Sequence, residues 1–229
     1  GTWVEYGALV IAAQRQRRKH EDLVASTPAD GMVAGIGSIN GALFEEASSR
    51  AVVTSYVYTV LAGTQGTMNH LKKDRMFEIA EQQQLPVVLF SEGGGGRPGD
   101  TDYAVVAGLD CRAFQYFAEL SGKVPLVGVN SGRCFAGNAA LLGCCDVVIA
   151  TKASNIGMGG PAMIEGGGLG VFSPDQIGPS ETQYRNGVID VLVEDDDEAV
   201  AAAKKYLGYF QGKLRDWEHA EQRALRATI

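Results

Sequence analysis

The stretch Pro86-Val87-Val88-Leu89-Phe90-Ser91-Glu92-Gly93-Gly94-Gly95-Gly96-Arg97 decides how this chain is read. A short apolar run that ends in glycines reads as a buried strand entering a tight turn. The same pattern returns in Val124-Pro125-Leu126-Val127-Gly128-Val129, followed by Gly132-Arg133-Cys134-Phe135-Ala136-Gly137-Asn138-Ala139. Each reads as strand, glycine turn, helix. Glycine has no Cβ, so its turn lets backbone N–H groups approach an anionic oxygen, and a helix start adds partial positive charge. Two such turns together would form an oxyanion hole, which points to chemistry on a carbonyl that becomes an enolate or a tetrahedral oxyanion. The plain alternatives are a flexible turn at Gly93–Gly96 and close helix–strand packing at Gly137-Asn138. Four successive glycines cost much backbone entropy, which favours the functional reading.

Working outward, residues 5–25 read as an amphipathic helix, with Ala8, Leu9, Ile11, Ala12 and Leu23 on one side. A turn at 27–31 leads to a strand at 32–39. Asn40-Gly41 signals a hairpin whose partner strand starts at Ala42-Leu43-Phe44. A third strand covers 51–58. A glycine-punctuated turn at 62–67 precedes a helix over 69–84, with Leu71, Met76, Ile79 and Ala80 inward. Further helices are expected at 103–120 and 136–143, strands at 146–150 and 187–193, a loop at 157–161, and a C-terminal helical extension at about 197–229. Repeated strand–strand–helix units with buried strands indicate an α/β fold. With no internal linker, the 229 residues read as a single domain, 1–229.

The formal net charge of −7 excludes a nucleic-acid binder unless basic charge is concentrated locally. The candidate cluster Arg15, Arg17, Arg18, Lys19 reads as a solvated helix face or, failing that, a grip on phosphates. Cys111, Cys134, Cys144 and Cys145 form no CxxC pair, which fits neither a zinc site nor an ordinary disulfide framework. They read as small apolar core residues in a reducing compartment. No metal site and no membrane span are expected, and a cytoplasmic location is. Because the chain opens Gly1-Thr2-Trp3-Val4 without Met, it is expected to be a piece of a longer polypeptide.

Taken together the motifs resemble a family: the N-terminal crotonase-like domain of the carboxyltransferase component of biotin-dependent acyl-CoA carboxylases. The resemblance runs over Tyr6 to Arg18, Thr27 to Gly37, Gly63-Thr64-Gln65-Gly66-Thr67, Ser91 to Arg97, Phe135-Ala136-Gly137-Asn138-Ala139, Met158 to Pro161 and Gly187 to Asp190. It implies a crotonase-like spiral of strand–strand–helix repeats. It also implies transfer of a carboxyl group from carboxybiotin to the α-carbon of an acyl-CoA through an enolate held by backbone amides, with biotin rather than a protein base taking the proton. The catalytic positions carried over are Gly95, Gly96, Gly137 and Asn138. Those for acyl-CoA binding are Gly63, Thr64, Gln65, Gly66, Gly94, Arg97 and Ala136. Implied partners are a biotin carboxyl carrier domain, a second crotonase-like carboxyltransferase domain and further copies of the chain. The sequence departs from the family pattern at Asn138, where a second glycine is usual, and at Gly96, where alanine is. Asn138 is expected to need unusual dihedrals.

Other residues keep two readings. Arg97 anchors an anion or caps its own loop, and Gly63–Gly66 faces CoA or is a plain turn. His70 reads as a surface or capping residue, and Asp100 and Asp102 as N-caps of the following helix. Gly160-Pro161 reads as structural or as part of a dimer contact, and Gly166–Gly168 as a mobile flap or a loop. The rival functions are another crotonase-fold acyl-CoA enzyme (decarboxylase, hydratase or isomerase), with Glu92 as its loop carboxylate, and a non-catalytic CoA-binding half-site.

Overall fold

The computed structural model describes residues 2–103, 111–216, 223 and 226. Strand β1 (Val4–Glu5) is followed by α1 (His20–Ser26), β2 (Met32–Ser38), α2 (Glu46–Ser49), β3 (Arg50–Tyr56) and the long helix α3 (Thr67–Gln83). Next come β4 (Val87–Phe90), α4 (Ala113–Glu119), β5 (Leu126–Asn130), β6 (Arg133–Phe135), α5 (Gly137–Leu142), β7 (Val147–Thr151) and β8 (Asn155–Gly157). The described elements end with α6 (Pro161–Gly166), α7 (Ser180–Arg185), β9 (Val191–Val193) and α8 (Asp196–Gly208). The main sheet has the order β1-β2-β3-β4-β5-β7-β9, antiparallel over its first three strands and parallel from β3 onward.

The apolar strands are continuous rather than alternating because both sheet faces are covered. On one face Val87, Leu89 and Leu126 pack with Met76, Phe77 and Ala80 of α3 and Phe117 of α4. On the other, Val88, Val127, Val129 and Ile149 pack under Ala199, Ala203 and Leu207 of α8.

A second, two-stranded parallel sheet pairs β6 with β8. Gly93 extends it: its N–H donates to Arg133 O and its carbonyl accepts from Phe135 N–H, both at 2.8 Å. The chain therefore repeats one motif three times: β4–Gly93–α4, β5–β6–α5 and β7–β8–α6. Each repeat leaves the main sheet, touches the small sheet and enters a helix. This is the strand–strand–helix spiral that the sequence implied, and it brings the two glycine turns to one place.

Several local expectations are corrected. Residues 6–19 are not helical, and helix is confined to α1. Gly7 turns the chain at φ +64°, Leu9 is 95% exposed, and the consecutive residues Ile11 to Gln14 are buried, a pattern that suits an extended strap. The basic cluster stands in turns, with Arg15, Arg17 and Lys19 facing solvent. Asn40 does turn, at φ +60°, but Ala42–Phe44 is not a strand and β2's partner starts at Arg50. Asn40 spends its side chain on Lys204 O and Gln211 Oε1, which ties this long connection to α8 and its end.

Helix α4 starts at Ala113; of the helix expected from 103, residues 104–110 lie outside the described residues. The 187–193 strand is reduced to β9, and Gly187 sits in a turn at φ +75°. The 157–161 loop holds at 158–160, while Gly157 ends β8 and Pro161 opens α6. Of the C-terminal helical extension expected at about 197–229, α8 ends at Gly208 and turns follow to residue 216; residues 223 and 226 are helical, and 217–222, 224–225 and 227–229 lie outside the described residues. Among the described residues no helix is long and apolar enough to cross a membrane.

Phe117 is fully buried, its ring 4.7 Å from that of Phe77. Phe117→Ala is expected to destabilise the fold by about 3–5 kcal/mol in urea denaturation. Leu71→Ala, on the exposed side of α3 at 53% accessibility, is expected to change it by no more than about 0.5 kcal/mol.

Candidate active site

Three turns converge where the two sheets meet. In the first, Leu61, Ala62 and Gly63 all take positive φ (49°, 56° and 61°). A Cβ on Gly63 would stand 2.5 Å from the carbonyl oxygen of Glu92, so only glycine lets this turn lie against the second one. In the second turn Gly95 has φ +86°, and a Cβ there would meet the Ala136 Cβ at 2.6 Å. The third turn carries Ala136 at φ +51°, ψ −121° between β6 and α5. That conformation is strained for a residue with a Cβ, and it persists because the Ala136 N–H is held by Gly157 O at 3.0 Å. The unusual dihedral expected of Asn138 therefore falls on Ala136 instead, while Asn138 is helical.

Asn138 is fully buried and joins the three turns. Its Oδ1 accepts from the Gly95 N–H at 3.0 Å and from Gln65 Nε2 at 3.2 Å, and its Nδ2 donates to Gly63 O at 3.2 Å. The Gln65 backbone completes the frame: its N–H donates to Gly95 O at 2.7 Å and its carbonyl accepts from Arg97 N–H at 2.9 Å.

An account of the amide donors separates the candidates. Gly63, Thr64, Gln65, Gly94, Gly95 and Ala136 all commit their N–H groups inside the protein, to Val60 O, Leu61 O, Gly95 O, Ala62 O, Asn138 Oδ1 and Gly157 O. Among the described residues no acceptor meets the N–H of exposed Gly96. The N–H groups of Gly137 and Asn138 open α5 and have no acceptor within their own helix. The two sets adjoin, since the Cβ position of Gly95 is 3.5 Å from Gly137 N. Thr64 and Gly94 sit at the rim, a Cβ on Gly94 falling 3.3 Å from Thr64 Cγ2.

The Arg97 side chain turns inward and ties its loop to Asp30 and to the first turn at Thr64 rather than capping its own loop. The side chain is buried, with Nη1 2.5 Å from Asp30 Oδ1 and 3.5 Å from Asp100 Oδ1, while Nη2 and Nε donate to the carbonyl and hydroxyl of Thr64. Burial pushes the Asp30 carboxyl up from its ordinary value, and the guanidinium opposes that. Asp100 does cap a helix, but an earlier one: its Oδ2 accepts from Thr67 N–H at the start of α3. Asp102 accepts from Gln16 N–H in the N-terminal strap.

His70 is corrected from surface to interior. It is 4% exposed, its ring is 6.1 Å from that of Phe114, and burial together with Lys73 and Arg97 lowers it to about 2, so it is neutral. The Cys134 thiol is buried and pushed up to about 12 by that burial, while Cys111, Cys144 and Cys145 pack partly buried against the core. Glu92 accepts from Ser131 N–H and lines a separate cavity of about 360 Å³ with Tyr56, Tyr58 and Phe90. Pro161 opens α6, and beyond it Met163, Leu169 and Val171 are exposed.

The sequence reading missed Lys72 and Lys73. Lys72 Nζ donates to Ala29 O and Met32 O at 2.8 and 2.6 Å. Lys73 is fully buried, and its Nζ donates to Tyr56 OH at 2.7 Å and to Gln65 Oε1 at 3.1 Å. Burial lowers Lys73 to about 7, against the opposing pull of Cys111, Asp74 and Asp30. A signal existed, because positions 69, 72, 73, 76, 77 and 80 form one helical stripe, and both lysines stand on it.

A spiral of strand–strand–helix repeats between a mostly parallel sheet and a small second sheet is the crotonase-like α/β fold. The chain belongs to the carboxyl transferase family, whose domain model matches residues 1–224. It is 59% identical to a solved structure described as a single-chain, multi-domain long-chain acyl-CoA carboxylase, with a TM-score of 0.91, over 100% of this chain and 23% of that one. It is 29% identical over 203 residues to the methylmalonyl-CoA carboxyltransferase 12S subunit of Propionibacterium freudenreichii subsp. shermanii, covering 84% of this chain and 36% of that subunit. A transcarboxylase 12S crystal structure, described as a hexamer with hydrolysed methylmalonyl-CoA bound, matches 96% of this chain and 40% of its own at 26% identity and a TM-score of 0.75. The chain thus spans little more than a third of the curated relative's length.

Arg97→Met leaves the buried Asp30 carboxyl without its ion-pair partner. A loss of about 3–5 kcal/mol is expected in urea denaturation, whereas an exposed pair such as Arg75–Glu78 should yield no more than about 1 kcal/mol.

Proposed function

We propose that this chain is the acyl-CoA-binding domain of a biotin-dependent carboxyltransferase. The observation that carries the reading is the adjacency of the open amides of Gly96 and Gly137 on two internally anchored turns. The acyl thioester oxygen would accept from both. As the α-carbon becomes nucleophilic, negative charge gathers on that oxygen, and donors already in place stabilise it without reorganising. Asn138 N–H stands next in line in α5, and the α5 N-terminus adds its partial positive charge. Thr64 and Gly94 would form the rim facing CoA, with Gly63, Gln65, Gly95, Arg97, Ala136 and the buried Gly66, packed against Arg97, holding the turns from behind. Carboxybiotin, brought by a carrier domain, would supply the carboxyl group and take the α-proton in exchange. A second crotonase-like domain and further copies of the chain would complete the biotin side of the site.

A hydratase reading is less well supported, because Glu92, its candidate carboxylate, is occupied by Ser131 N–H.

The test is loss of the carboxyl group from malonyl-CoA or methylmalonyl-CoA, with and without biocytin. Turnover that depends on biocytin is expected. Turnover without biocytin would point to a decarboxylase, and binding of CoA esters without turnover to a half-site completed by another domain. In Gly137→Val, a Cβ 3.1 Å from Gln65 Nε2 and 3.3 Å from Phe114 Cζ displaces the amide, and turnover is expected to fall at least about 100-fold with the circular dichroism spectrum retained. Normal turnover by that variant would sink the oxyanion assignment.

A further inference from the structure

The Lys73 amine lies in the interior with, among the described residues, no carboxylate within ion-pair distance. Such a group is costly to bury without a carboxylate beside it. Its contacts lead toward the open amides. Its Nζ donates to the oxygen of the Gln65 amide at 3.1 Å, and whenever the amine is protonated it can only donate, so the amide oxygen must face it. The Gln65 nitrogen must then point the other way, where it donates to Asn138 Oδ1 at 3.2 Å. That in turn sets Asn138 with its oxygen toward Gly95 N–H and its nitrogen toward Gly63 O. The direction of each amide along the chain follows from the first.

The consequence reaches both donors of the proposed oxyanion site. Gly95 is held at both ends, its N–H by Asn138 and its carbonyl by Gln65 N–H. In a planar trans peptide the N–H lies opposite the carbonyl, so fixing Gly95 O toward Gln65 aims Gly96 N–H away from Gln65. Asn138 is also the second residue of α5, so anchoring its side chain fixes the start of the helix that presents Gly137 N–H.

We propose that Lys73 is a positioning residue for the carboxyltransferase site, orienting the Gly96 and Gly137 amides through Gln65 and Asn138. This rests on the function proposed above. Two variants test it. Lys73→Met removes the amine at similar length. Gln65→Glu keeps an acceptor for Lys73, and so a paired buried charge, but removes the donor to Asn138. In the biocytin-dependent assay each is expected to lower kcat about 10- to 100-fold while KM for the acyl-CoA stays within about twofold, because the donors are misaimed rather than lost. Amide hydrogen exchange at Gly95 is expected to quicken at least about tenfold in Gln65→Glu. Unchanged kcat per folded molecule, or a loss explained wholly by a lower folded fraction, would overturn the proposal. If the wild-type chain itself shows no turnover, that failure belongs to the proposed function, and exchange at Gly95 then decides the relay: faster supports it and unchanged refutes it.

Discussion

The side chain of Asn138 is the constraint on which the rest of the site depends. One buried amide makes three hydrogen bonds to residues far apart in sequence, Gly63, Gln65 and Gly95. Each of the three turns is held to the others through Asn138 and the backbone of Gln65. In a buried setting such bonds are worth most when every partner is satisfied, and the same setting makes a missing partner expensive. Glycine at 63 and 95 is required by the same closeness, since a Cβ at either position would strike the neighbouring turn.

Around this point the first half of α3 turns polar side chains inward. Asn69, His70, Lys72 and Lys73 are all buried on one stripe that continues as Met76, Phe77 and Ala80. Asp30 accepts from Asn69 N–H and pairs with Arg97, and Arg97 reaches Thr64. A buried network of this kind contributes little net stability compared with well-packed apolar groups, and its better-attested use is to specify one arrangement. Here the arrangement specified is that of the turns bearing the open amides. Neutral His70 beside Lys73 and Arg97 avoids a third positive charge in the same space.

The sheet supplies the rigidity that this network needs. Parallel strands β3 to β9 are covered on both faces, by α3 and α4 on one side and α8 on the other, so their ends are fixed points. Each strand–strand–helix repeat leaves the main sheet at such an end. The small sheet then brings Gly93 beside Cys134 and so sets the second turn against the third. The spacing between two amides that must meet one oxygen is thus set by strand geometry rather than by loop preference.

Much of the fold was legible in the chain itself. The apolar runs at 86–90, 124–129 and 146–150 became β4, β5 and β7, the glycine turns fell where they were read, and the strand–strand–helix order emerged from them. These features are local, written in runs of apolar residues and in residues that lack a Cβ. The strap at 6–19 was misread because its apolar residues mimic a helical face, while its burial comes from contacts with distant partners such as Asp102 and Thr101. The same reason accounts for Asp100 capping a helix that precedes it, for Asn40 bonding to the end of α8, and for the burial of His70, Lys72 and Lys73. By itself, then, the sequence determined the strands, the turns and the family to which they belong. Only the tertiary structure decided which amides remain open and which are spent. That choice depends on hydrogen bonds such as Asn138 to Gly63 and Lys73 to Tyr56, made between residues that only the folded sheet brings within reach.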